Sequence, residues 1–242
     1  MEEPGHFRHA HLLPCKRSTI YTLLIFSAGM MGAYTFILRG GVFCNAQTAN
    51  IALMAIELGQ GRWKAALYFL IPISAYFLGA FLSELLLLSP DRKLGRLRWD
   101  TCLIIIESLV LFGIGFLPLS APDQIVQVLI NFIASMQYNT FRRTDGITMA
   151  TTFCTNHIRQ LGISAAKCLR NNDPEDRRHG LVHLRMLFGF LLGGVVLSFG
   201  SIFMAERCIW LALIPLLLVL WALAKADLTA SRSGMEDEGC CQ

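Results

Sequence analysis

Gly40-Gly41-Val42-Phe43-Cys44-Asn45-Ala46-Gln47-Thr48-Ala49-Asn50 separates two strongly apolar stretches of the chain. Asn45, Gln47 and Asn50 make it too polar to face lipid, while Val42, Phe43 and Cys44 make it too apolar for a solvated loop. A related stretch, Thr151-Thr152-Phe153-Cys154-Thr155-Asn156-His157, recurs in the second half. Polar backbone at membrane depth is tolerated only where protein or a water-lined cavity surrounds it. The two stretches are therefore expected to be buried together and to form whatever working site the protein has.

Outward from these stretches the sequence is that of a polytopic membrane protein. Of 242 residues, 54% are hydrophobic and 16% charged, against about 25% charged in a soluble domain. Mean hydropathy is +0.51. Apolar runs at about 18–38, 65–88, 101–117, 124–141, 181–205 and 208–224 predict six spans. The two motif segments, about 41–58 and 147–166, are long enough to span but rich in Asn, Gln and Thr. The fold class expected is all-α: a transmembrane bundle of six spans plus two membrane-embedded motif helices, eight helices in all.

Charge sets the expected topology. With six spans and the N-terminus inside, the cytoplasm receives the 1–17 tail, Arg92, Lys93, Arg96 and Arg98, the 142–180 connection, and Lys225 and Arg232. Arg39, Arg62, Lys64 and Arg207 are left outside. This obeys the positive-inside rule, whereas eight full spans would put the Arg92–Arg98 loop outside. The eight-span alternative stays open, because a motif helix buried among others need not be apolar. The first apolar run is too long for a signal peptide and reads as an uncleaved helix. One transmembrane domain, 18–225, is thus expected in the inner membrane between two cytoplasmic tails, 1–17 and 226–242. The net charge of +4 belongs to loops, and no basic patch points to nucleic acid. Eight cysteines without a CxxC pair give neither a zinc site nor a disulfide framework.

The halves overlay as two internal repeats, about 18–118 and 124–225. Thr48-Ala49-Asn50 matches Thr155-Asn156-His157, and Leu78-Gly79-Ala80 matches Leu192-Gly193-Gly194. With an odd number of spans in each half the repeats are inverted, as in transporters whose sites lie at the repeat interface.

At these residues the chain resembles the YoaK-like family of bacterial membrane proteins, a domain family of unknown function, from about residue 20 to 225. The resemblance rests on Gly29-Met30-Met31-Gly32-Ala33, Gly40-Gly41-Val42-Phe43 and Ala46-Gln47-Thr48-Ala49-Asn50, then on Gln137, Asn139, Arg142, Arg143, Thr151, Thr152, Thr155 and Asn156. The family's Asp is Gly32 here and its Asn is Ala46, so a proton or cation role for that Asp does not transfer. The resemblance implies an architecture and leaves the activity open.

The candidate site residues follow from cost. Polar side chains at lipid depth need partners or water. Gln47, Thr48, Asn50, Asn131, Gln137, Asn139, Thr151, Thr152, Thr155, Asn156 and His157 are expected to bind a small polar solute or ion, or else to serve as helix–helix glue. Gln127, Asn131, Ser135 and Tyr138 share one helix stripe, which lines a pathway or faces the bundle interior. Glu84 and Glu107 flank the 90–100 loop at similar depth; if neighbours, they would share one proton and couple transport to it. The alternative is a separate basic partner for each. Cys154 and His157 could form a thiol–imidazole pair but lack a third orienting residue. No catalytic motif, cofactor signature or metal set is present in the sequence. The expected function is a transporter or channel-like protein for a small polar solute or ion, not an enzyme, with the lipid bilayer, that solute or ion and a homo-oligomer as its candidate partners. A membrane-embedded enzyme acting on a lipid, and a non-transporting assembly or sensor subunit, are the alternatives.

Overall fold

The apolar runs fold as helices, which satisfy every backbone group internally where no water is at hand. The computed structural model describes residues 14–87, 93–94, 97–144, 147–171 and 173–232. Its helices are α1 (Pro14–Leu38), α2 (Gln47–Gly59), α3 (Trp63–Leu87), α4 (Trp99–Ile114), α5 (Asp123–Thr140), α6 (Thr155–Asn171), α7 (Pro174–Met204) and α8 (Leu213–Arg232). A 3₁₀ segment, Ala205–Ala212, joins the last two. Two antiparallel hairpins, β1 (Lys93–Leu94) with β2 (Leu97–Arg98) and β3 (Arg143–Thr144) with β4 (Ile147–Thr148), break the otherwise helical chain. Arg92, Arg96, most of the 1–17 tail and the end of the 226–242 tail lie outside the described residues.

Among the described residues, three stretches are long and apolar enough to cross a bilayer: Ser18–Leu38, Trp63–Leu86 and Pro174–Thr229. The last runs through α7, the 3₁₀ segment and α8, and so covers two of the six expected spans. The expected spans at 101–117 and 124–141 do form helices, but short of this measure. α4 has 16 residues, a rise of about 24 Å, and α5 is interrupted by carboxamides. The protein is therefore an all-α membrane protein whose middle helices are shorter or more polar than its outer ones.

The motif segments differ from the expected helices at 41–58 and 147–166. Residues 41–46 are not helical, and α2 starts only at Gln47. Gly40 and Gly41 take positive φ angles of 76° and 71°, and Gly40 presses on the Tyr68 hydroxyl so closely that no Cβ fits. In the second motif β4 and a non-helical segment, 149–154, replace the first turns, and α6 begins at Thr155.

Packing follows close backbone approaches. α1 lies along α7, and α3 along α5; α2 and α6 pack on α3 and α7; α4 packs on both α5 and α8. A Cβ on Gly193 would strike the Phe26 carbonyl, and one on Gly79 the Phe132 carbonyl. Small residues permit this contact where lipid supplies no hydrophobic drive between helices. The core combines Leu24, Ile25, Met31, Leu103, Leu111, Ile130 and Val219. Large apolar side chains also point outward, Phe77, Phe199 and Ile202 among them, as a lipid-facing surface requires.

Candidate functional site

The first motif is held by its own carboxamides. Asn50 reaches back seven residues: its Oδ1 accepts from Phe43 N at 3.2 Å and its Nδ2 donates to Phe43 O at 2.7 Å. This closes the non-helical arm onto the start of α2. Gln47 then links the arm to α5, its Nε2 donating to Asn131 Oδ1 at 2.7 Å, while Asn50 Nδ2 donates to Gln47 Oε1 at 3.1 Å. Asn131 Nδ2 donates to Gln127 O at 2.7 Å, and Gln127 Nε2 to Arg39 O at 2.7 Å. A chain of carboxamides thus runs from the first motif down one face of α5. Gln127 Oε1, at the end of it, is buried without a hydrogen bond among the described residues.

Arg39, expected among the loop charges on the outer side of the membrane, is wholly buried in the protein. Its guanidinium donates to Leu117 O at 2.7 Å and Pro118 O at 3.1 Å, just past the end of α4, and to the Tyr34 hydroxyl at 3.3 Å. Carbonyls past a helix C-terminus carry partial negative charge, which accounts for a cation being accepted there.

Glu107, on α4, is also wholly buried. Among the described residues no cation forms an ion pair with it. Its partner is the buried side-chain amide of Gln137 on α5, whose nitrogen, turned toward the carboxylate, donates to one oxygen at 2.7 Å and to the other at 3.3 Å. In the opposite orientation the amide nitrogen points to Thr151 O at 3.5 Å. Its oxygen then meets Glu107, which makes a hydrogen bond only if Glu107 carries a proton. Cys44 of the first motif lies within electrostatic reach of Glu107. Among the described residues the buried Thr151 hydroxyl of the second motif has no hydrogen bond, and the buried Thr152 hydroxyl lies against that of Tyr76.

The remaining candidates scatter. Glu84 does not share a site with Glu107: it is half exposed, pairs with Arg142 at 3.3 Å and accepts from Asn139 Nδ2 at 3.1 Å. Asn139 also donates to Ser83 Oγ at 3.2 Å. Thr48 and Thr155 are exposed near the starts of their helices, and Asn156 accepts from Arg159 at 3.2 Å.

His157 is buried, with Nε2 2.8 Å from Ala150 O and Nδ1 2.8 Å from Nδ1 of His183 on α7. A carbonyl only accepts, so Nε2 carries the hydrogen, and in the neutral pair His183 donates to His157. That bond occupies the nitrogen a Cys154 pairing would need. Among the described residues no group of three or more His, Cys, Asp or Glu is set to hold a metal.

The sequence does not single out Arg39, Tyr34, Tyr68, Tyr76 or His183 as site residues. Only Arg39 carried a signal, as a lone cation abutting Gly40-Gly41 at the end of a span.

No curated protein and no solved structure matches the chain. The family of proteins of unknown function DUF1275 matches it over residues 20–222, which takes in both motifs, α5 and the Glu107–Gln137 pair. The chain is a helical membrane protein of the DUF1275, YoaK-like family.

Proposed function

We propose that the protein is a transporter or channel-like protein for a small polar solute or ion, with Glu107 as the group that binds the proton or cation. One observation carries this reading: a fully buried carboxylate with no cationic partner among the described residues, held by a carboxamide between the two motifs. An unpaired buried carboxylate costs several kcal/mol unless it is protonated or neutralised by a bound cation. Membrane proteins retain such groups for function.

Gln137 supplies the coupling. When Glu107 is ionised, the Gln137 amide nitrogen donates to it. When Glu107 is protonated, its O–H donates to Gln137 Oε1, and the amide nitrogen turns to Thr151 O in the second motif. Proton uptake is thereby passed to the segment that carries Thr151, Thr152 and His157.

An internal repeat underlies the arrangement in this reading. The helix contacts support it when α1 to α4 are exchanged for α5 to α8: α1 on α7 becomes α5 on α3, and α2 on α3 becomes α6 on α7. Gly193 against Phe26 matches Gly79 against Phe132. Asn50 and His157 each bond the main chain seven residues upstream. The solute path follows the repeat interface across six spans, with both termini cytoplasmic in the inner membrane.

Reconstituted vesicles test the function. Proton or solute flux should be present in the wild type and abolished in folded Glu107→Gln and Asn50→Ala variants; absence of flux across a broad ion and metabolite panel refutes transport. For topology, Arg62→Cys and Arg96→Cys should label from opposite sides of the membrane, and labelling from the same side eliminates six spans.

A further inference from the structure

A cavity of about 360 Å³ opens between the N-terminal ends of α1 and α7. Its walls include Ser18 on α1 and Arg177, Arg178, Leu181, Val182 and Arg185 on α7. Arg178, Leu181, Val182 and Arg185 follow i, i+3, i+4, i+7 spacing and share one face of the helix. Ser18 begins the first apolar stretch, Ser18–Leu38, so the cavity sits where a bilayer gives way to water.

Two of the cavity's arginines, Arg178 and Arg185, carry charge that no ion pair among the described residues takes up. Arg178 makes no ion pair or hydrogen bond among the described residues. Arg185 holds Ser18 Oγ and Thr19 Oγ1 only at 3.4 Å each, which leaves its Nε donor free of both bonds. The acids of the first turn of α7 are turned to other partners. Asp173 caps the helix through Glu175 N at 2.9 Å, Asp176 pairs with Lys167 at 3.6 Å, and Glu175 faces His179 at 3.9 Å. The helix N-terminus is thus already capped, and the attraction for an anion comes from the guanidinium groups. Beside them Leu181 is 65% exposed, an apolar wall next to a cationic one.

We infer that this cavity binds a phosphate-bearing anion, with the Arg178 and Arg185 guanidinium groups on its oxygens and Leu181 against an attached apolar chain. Guanidinium geometry matches phosphate oxygens in pairs. Basic pockets at the ends of membrane helices hold anionic head groups by the same chemistry. The adjoining apolar wall favours the phosphodiester of an anionic lipid over free phosphate.

Native mass spectrometry of the full chain in detergent, titrated with phosphatidylglycerol, phosphatidylcholine and inorganic phosphate, tests this. Phosphatidylglycerol should bind the wild type more tightly than phosphatidylcholine, and Arg178→Gln/Arg185→Gln should weaken it about tenfold to thirtyfold. Arg159→Gln/Arg170→Gln removes the same charge from α6 and should leave binding unchanged. Displacement of phosphatidylglycerol by excess inorganic phosphate assigns the site to a soluble phosphate, and resistance to it assigns the site to lipid. Equal binding by the wild type and the cavity variant, or an equal loss in the α6 control, overturns the inference. Arg178→Gln alone removes a side chain with no partner among the described residues, so its binding loss separates the site from any folding defect.

Discussion

Replacing Glu107 by Gln is the most direct probe of the buried centre. The substitution keeps the shape and removes the charge. An amide at 107 can donate to Gln137 Oε1 as a protonated carboxyl would, with the Gln137 nitrogen turned to Thr151 O. The bond lost, between an amide and an ionised carboxylate, contributes roughly 1.5–3 kcal/mol. The desolvation relieved amounts to several kcal/mol for a wholly buried charge. Glu107→Gln should therefore leave unfolding free energy unchanged or raise it by about 1–3 kcal/mol, while flux and its pH dependence disappear. Glu107→Ala leaves a cavity and strips Gln137 of its partner, and should cost about 2–4 kcal/mol. Unfolding in detergent and flux in vesicles, measured on the same preparations, separate the two effects. A Glu107→Gln variant destabilised by more than about 2 kcal/mol would mean that the carboxylate serves the fold as an ion, and the coupling argument would fall.

Four further substitutions test the packing and the relation between the halves. Gly193→Ala and Gly79→Ala should each destabilise by about 1–3 kcal/mol, because both place a methyl against a carbonyl of the facing helix; a neutral effect at either would mean that these helices are not held at that distance. His157→Leu should cost about 1–3 kcal/mol by orphaning Ala150 O and His183. His157→Asn, which can imitate Asn50, should recover much of that loss in the same unfolding assay, and equal loss in both variants would break the equivalence of the two positions.

The sequence disclosed the helices better than the places where they stop. Apolar runs located α1, α3, α7 and α8 because lipid-facing and core positions are both hydrophobic, so length alone marks them. The starts of α2 and α6 were misplaced. At α2 the cause is local: Asn50 bonds the Phe43 main chain, an alternative to helix that short polar side chains offer. At α6 the second strand of a short hairpin and the irregular segment 149–154 occupy ground that composition reads as helix. The stripe on α5 was legible, since Gln127 and Asn131 recur at helical spacing, and so was Glu107 as an intramembrane acid. Its partner was not, because Gln137 comes from another helix and periodicity carries no information about which helices meet. The burial of Arg39 is hidden for a related reason: a rule that assigns cations to one side of a membrane does not register the carbonyls at the end of α4. His183 lies in the polar opening of α7 and acquires meaning only from His157 across the α6–α7 contact.

α5 meets the first motif through Asn131 and the Glu107 carboxylate through Gln137. At 1.5 Å per residue these two points are about 9 Å apart on one continuous rod. A rod does not stretch, so an axial slide of α5 large enough to free one contact displaces the other by the same amount. The first motif and the buried acid are therefore geared together, and a conformational cycle that opens one while sparing the other must rotate or tilt α5 instead of sliding it.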